Sequence, residues 1–122
     1  MITKYEDVFA TDENSATSPS GKYKLEKVID IIDEVNSFSF RILDAEHDNI
    51  IYQSEDYYRT RDTHFILWGD DDMVWVYSGD VGVFYWEKEE ESFWVKKGYA
   101  QRKEENIDLP EVLIALYPEL DE

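Results

Sequence analysis

The chain contains no cysteine, which excludes a disulfide framework and any thiolate metal site. It has no apolar run approaching the roughly eighteen residues of a membrane-spanning helix. Met1-Ile2-Thr3-Lys4 leads into acidic residues without the apolar core of a secretion signal. These absences set the expectation of a cytoplasmic protein, one domain over residues 1–122. Motifs are missing too: no HExxH pair, no nucleophile elbow and no phosphate-cradling glycine loop. No catalytic constellation emerges, and no enzyme is expected.

Positive charge is equally short. Twelve Lys and Arg stand against 29 Asp and Glu, a net charge of -17. Nucleic acid and anionic lipid are themselves strongly negative, so neither is an expected partner. A basic protein is, because long-range attraction speeds encounter with an oppositely charged surface.

Aromatics are abundant, at 16% of the residues, and they concentrate between Phe65 and Lys88. Phe65, Trp68, Trp75, Tyr77, Phe84, Tyr85 and Trp86 all fall there. The turn signals Gly69-Asp70-Asp71-Asp72 and Ser78-Gly79-Asp80-Val81-Gly82 cut this stretch into three apolar runs, the pattern of an antiparallel meander. Phe65 and Leu67 share one face of the first run, and Val74 and Val76 one face of the second, opposite Met73, Trp75 and Tyr77. In the third, Val83 and Tyr85 oppose Phe84 and Trp86. Both faces are apolar, which calls for a sheet covered on both sides or a closed barrel.

The flanking segments extend this pattern. Tyr5–Ala10 is a short candidate strand, and Thr11–Ser20 reads as a loop. Ser18-Pro19-Ser20-Gly21 is a turn that opens a strand, with Pro19 fixing φ and Gly21 tolerating a positive one. Lys22–Glu34 fits both a period of two and a helical stripe. Its Ile and Val content and the preceding turn favour strand, with Asp33-Glu34-Val35-Asn36 as the next turn. Phe38, Phe40 and Ile42 alternate with Ser37, Ser39 and Arg41 as a half-buried strand. Glu46–Asn49 is a turn, Ile50–Ser54 a returning strand and Glu55–Arg61 a polar connection. Glu87–Glu91 ends the meander, Ser92–Ala100 is a further strand and Gln101–Asn106 a charged loop. A C-terminal helix follows, with Asp108 as cap, Glu111 as capping-box partner and a break near Tyr117, before Pro118. The fold expected is mainly β: an antiparallel meander of six to eight strands, as a curved sheet, small sandwich or barrel, with a short C-terminal helix.

Ser18–Leu25 (SPSGKYKL) is similar to the Ser-Pro-Asp-Gly-Lys turn of propeller blades of the WD-repeat or TolB type, with Ser20 where Asp usually stands. Trp68–Trp86 looks like the strand–turn–strand chemistry of such a blade. The resemblance implies a local meander; a chain of this length is too short to close a propeller.

Two acidic clusters are the candidate partner-binding residues: Asp70, Asp71, Asp72 and Asp80 in the meander turns, and Glu87, Glu89, Glu90 and Glu91 after it. The first would offer oxygen ligands to calcium only if its two turns shared one end of the sheet, and its spacing misses the EF-hand loop. No metal or cofactor is assigned. His47 and His64 belong to no zinc or nucleophile motif. The tryptophans are expected in the core rather than as a stacking platform. The functional expectation is an acidic protein-binding inhibitor, concretely a bacterial immunity protein that covers a basic toxin or nuclease. The alternative is a small-ligand or calcium-binding accessory domain without catalysis.

Overall fold

The computed structural model describes residues 8–90 and 93–121. Its strands form two antiparallel sheets that face each other across one core. The first sheet takes β1 (Phe9–Ala10), β7 (His64–Trp68), β8 (Val74–Ser78), β9 (Gly82–Glu90) and β10 (Phe93–Gly98), in the order β1-β7-β8-β9-β10. The second has the order β2-β3-β4-β5, from β2 (Ala16–Thr17), β3 (Tyr23–Ile32), β4 (Val35–Asp44) and β5 (Ile50–Gln53). A further strand, β6 (Tyr58–Arg59), pairs with β4. The barrel is not formed; the open two-sheet alternative is.

Seven strands have four or more residues, within the expected range. Three two-residue strands raise the count to ten: β1, inside the candidate strand Tyr5–Ala10, and β2 and β6, in segments that read as loops. They are too short for any alternation to register in sequence. Within Lys22–Glu34, Tyr23–Ile32 is strand, as its composition indicates, and the turn that follows is tighter than expected. Only Asp33 and Glu34 form it, because Ile32 already pairs with Val35. Of the candidate strand Tyr5–Ala10, Phe9–Ala10 pairs with β7, and residues 5–7 lie outside the described residues.

The core explains the two-faced apolarity of the meander. Leu25, Phe38, Phe40 and Ile42 of the second sheet meet Ile66, Trp68, Val74, Val76, Trp86 and Trp94 of the first. On the other face of the first sheet, Leu67, Trp75, Val83 and Tyr85 pack under Leu109, Val112 and Leu113. Those three come from the C-terminal helix α2 (Glu111–Leu116) and the residues before it. Each fully buried large aliphatic chain contributes on the order of 1.5–3 kcal/mol.

Three local expectations are corrected. Glu87 does not end the meander: β9 runs to Glu90 and pairs with β10. The strand expected to run to Ala100 stops at Gly98, and most of the loop expected at 101–106 is helix, since α1 spans Tyr99–Glu104 and only Glu105 and Asn106 turn. Asp108 makes no capping bond to α2; Pro110 holds the N-cap position. Leu109 precedes a proline, which pushes it out of the helical region. Its burial at 4% exposure pins the chain there. The helix ends at Tyr117 as expected.

The blade-like segments fall in different sheets. Ser18–Leu25 leads into β3 of the second sheet, whereas Trp68–Trp86 is the β7–β9 meander of the first. A propeller blade would hold both in one sheet. The Ser18–Gly21 turn itself is as read: Gly21 N–H donates to the Ser18 carbonyl, and Gly21 has φ 81°.

Candidate docking surface

The acidic clusters do not form one surface. Asp70–Asp72 lies between β7 and β8, and Asp80 between β8 and β9, so the two turns sit at opposite ends of the meander. The shared-end arrangement that calcium would need is absent. Within the first turn, Asp72 is buried. Its carboxylate accepts from the Ser20 hydroxyl at 2.6 Å and the Ser20 N–H at 3.2 Å. Its carbonyl accepts from the Trp94 indole N–H at 3.2 Å. This residue ties the two sheets together rather than facing a partner. Asp70 and Asp71 are exposed beside it.

The other acidic positions are divided in the same way. Asp80 pairs with Arg59 at 2.7 Å, and Arg59 also reaches Asp62 at 3.1 Å. Glu87 pairs with Lys97 at 2.6 Å, and the same ammonium donates to Glu105 at 2.8 Å. Those bonds, the Glu105 one first, hold Lys97 above its ordinary pKa. Burial, then a hydrogen bond to Glu105, pushes the Tyr85 phenol up to about 12. Glu89 and Glu90 are exposed at the end of β9. Glu91 lies outside the described residues.

A different surface stands out. The β3–β4 hairpin has ten residues in each strand and projects past the opposing sheet. Every residue from Ile29 to Asn36 is exposed. The chain leaves Ile29 at 51%, Ile31 at 65%, Ile32 at 37% and Val35 at 41% exposure. Asp30, Asp33 and Glu34 are interspersed, and no Lys or Arg occurs between Lys27 and Arg41. Asp33 and Glu34 both hold left-handed backbone, φ 50° and 68°. That geometry twists a two-residue turn correctly for a hairpin, yet it favours Asn and Gly over Asp and Glu.

The sequence places Ile29 and Ile31 on a strand but does not mark them as surface. The available signal was aliphatic residues on both faces of one strand, Val28 and Ile32 against Ile29 and Ile31, with acids between them. A strand buried on one face does not need that.

At the root of the hairpin lies a cleft of about 510 Å³, lined by Phe9, Asp12, Lys27, His64 and Phe65 among others. Lys27 bridges Asp12 at 2.7 Å and His64 Nε2 at 2.8 Å. The His64 Nδ1–H donates to the Asp62 carbonyl at 2.7 Å, which leaves Nε2 to accept from Lys27. The ring stacks on Phe38, 4.1 Å between centroids. Burial first, with Lys27 adding repulsion, lowers the His64 pKa. The bond from Lys27 lowers that of Asp12. Both imidazole nitrogens are thus occupied within the protein, and neither is offered to a substrate.

Asp44, Glu46 and His47 form the one convergent group of metal-ligating side chains among the described residues. The Asp44 carboxylate is already engaged by the Glu46 N–H at 2.9 Å and by the His47 ring at 3.1 Å. The Glu46 bond is the main reason its pKa is lowered. Among the described residues no helix is long and apolar enough to cross a membrane.

The fold and its surface define a two-sheet β protein with an exposed, acid-flanked aliphatic hairpin. Comparison with protein-family models, with curated proteins and with solved structures finds no match.

Proposed function

We propose that this protein is an acidic protein-binding inhibitor that acts in the cytoplasm without catalysis. Its concrete form is a bacterial immunity protein that neutralises a basic toxin or nuclease by covering its surface. The observation that carries this reading is the β3–β4 hairpin end. It joins four exposed aliphatic side chains to three carboxylates with no base among them. Aliphatic anchors supply affinity by excluding water, and the carboxylates select a positively charged partner. The net charge of -17 extends the attraction beyond the contact itself and speeds association.

The acids named from sequence divide accordingly. Asp70, Asp71, Glu89 and Glu90 contribute to the long-range field from exposed positions. Asp72, Asp80 and Glu87 are held by internal bonds and contribute charge more than contact.

The test is a tagged pull-down at low and moderate salt, run in parallel with the Ile29→Ser/Ile31→Ser variant. The expected result is one basic protein retained near stoichiometrically, less at higher salt, and lost with the variant. Its toxin or nuclease activity should fall when the intact protein is added back. Retention of no basic protein at low salt, or equal retention by the variant, overturns the reading.

A further inference from the structure

The outer edge of β3 is open where the hairpin is exposed. β2 pairs only with Lys24 and Leu25, and among the described residues no strand pairs with β3 beyond them on the side away from β4. The register of the hairpin decides which backbone groups face that edge. A two-residue loop makes Ile32 and Val35 a mutually hydrogen-bonded pair. Alternation along the unbroken ladder then points the N–H and C=O of Lys27, Ile29 and Ile31 away from β4. Neighbouring bonds agree with this parity. Leu25 faces β2, the Tyr23 carbonyl accepts from Ser18 N–H, and on the other side the Asn36 carbonyl accepts from Thr60 N–H.

Edges of this kind are normally blunted by charge, proline or a bulge. Here Lys27 is the single cation, and Asp12 and His64 engage it at the inner end. Beyond it stand Ile29 and Ile31. The Ile31 N–H is occupied only by the carboxylate of its own neighbour, Asp30, at 2.8 Å.

We infer that the basic partner docks by adding an extended strand to β3 along Ile29–Ile31, with apolar and basic residues alternating. This rests on the docking reading above. Side chains on one face of the added strand meet Ile29 and Ile31, which continue the core-facing side of β3. Those on the other face meet Asp30. A carbonyl of the added strand takes over the Ile31 N–H, which frees the Asp30 carboxylate for a lysine or arginine opposite it. Main-chain bonds hold the segment and the alternation selects it. A second copy of this chain would bring Asp30, Asp33 and Glu34 against like charges, which disfavours self-pairing.

The probe is an eight-residue peptide alternating lysine and valine, compared with its block isomer of four lysines followed by four valines. Amide exchange is followed by NMR on the full chain. In the free protein the Ile29 amide should exchange fast. Saturation with the alternating peptide should slow it at least tenfold, and the block isomer should not. Ile29→Pro removes an edge N–H without taking a ladder bond from β4. It should weaken peptide binding about tenfold, and Ile29→Thr, which keeps the N–H, should weaken it less. An Ile29 amide already protected in the free protein means the edge is paired, and overturns strand addition. Binding of both peptides alike, with no protection at Ile29, overturns strand addition but leaves charge-driven docking standing. Binding of neither at low salt overturns both.

Discussion

Asp72 and Asp70 are two residues apart and chemically identical, yet they do different work. Asp72 bonds Ser20 through both carboxylate oxygens and sits at 6% exposure, whereas Asp70 is solvated. Asp72→Ala removes both bonds from the exposed Ser20 and should cost about 1.5–3 kcal/mol, the worth of bonds to a charged group. Asp70→Ala should stay within about 0.5 kcal/mol. Urea unfolding of both variants checks the contrast; equal costs would remove Asp72 as the link. Gly69 gives a steric counterpart. A Cβ there would overlap Nε1 of the buried Trp75, so Gly69→Ala should destabilise by about 1–3 kcal/mol as the indole is displaced. His64 supplies a pH effect. Its folded pKa lies below the ordinary 6.5, so the unfolded chain binds the proton more readily. Stability from this residue is complete above about pH 6.5 and is lost as pH falls towards the folded value. Its ion-pair neighbour Asp12 is lowered by Lys27 from 3.8, so its own loss of stability falls at more acidic pH than that of His64. Unfolding free energies at pH 7.5 and 5.5 should therefore fall more for the native chain than for His64→Gln. An equal fall would show that burial does not depress the imidazole.

The hairpin turn sets local conformation against charge. Asp33 and Glu34 occupy positions where Asn-Gly is the preferred pair, and a non-glycine residue in left-handed backbone costs about 1 kcal/mol or more. Asp33→Asn with Glu34→Gly should raise stability by about 1 kcal/mol and weaken binding of the lysine–valine peptide. A gain in stability with unchanged binding would mean that the carboxylates are not there for a partner. The other elements show what period and turn chemistry can disclose. The alternation of Phe38, Phe40 and Ile42 was legible because all three are fully buried against the opposing sheet. Helix α1 was not legible, because its buried position is an arginine. Arg102 is 7% exposed, donates to the Ile107 carbonyl at 3.1 Å and lies over the Tyr99 ring. No apolar stripe announces such a helix. The exposure of the hairpin end was not legible, for the converse reason. Ile29 and Ile31 carry the same alternation as Leu25, but the opposing sheet does not extend far enough to cover them. Sequence records which face of a strand is apolar, not where its partner ends.

The charge of the chain acts on folding and on binding with opposite signs. Several bases are committed to internal pairs: Lys24 with Asp48, Lys27 with Asp12, Arg41 with Glu26, Arg59 with Asp80, Lys96 with Asp56 and Lys97 with Glu87. Such surface pairs contribute little individually. What remains is an unbalanced charge of -17, whose self-repulsion is relieved by unfolding and screened by salt. Raising sodium chloride from 0.05 to 0.5 M shortens the screening distance from roughly 14 to 4 Å. Over that range the melting temperature should rise, because repulsion among the excess carboxylates is reduced more than the short pairs are. Association with a basic partner should slow by at least tenfold over the same range, because steering acts across the distances that salt screens. Thermal unfolding and stopped-flow association measure the two trends independently. A melting temperature that falls with salt would make the pairs, rather than the excess charge, dominant in the fold. An association rate indifferent to salt would leave the acidity as a solubility device and remove the electrostatic half of the docking argument.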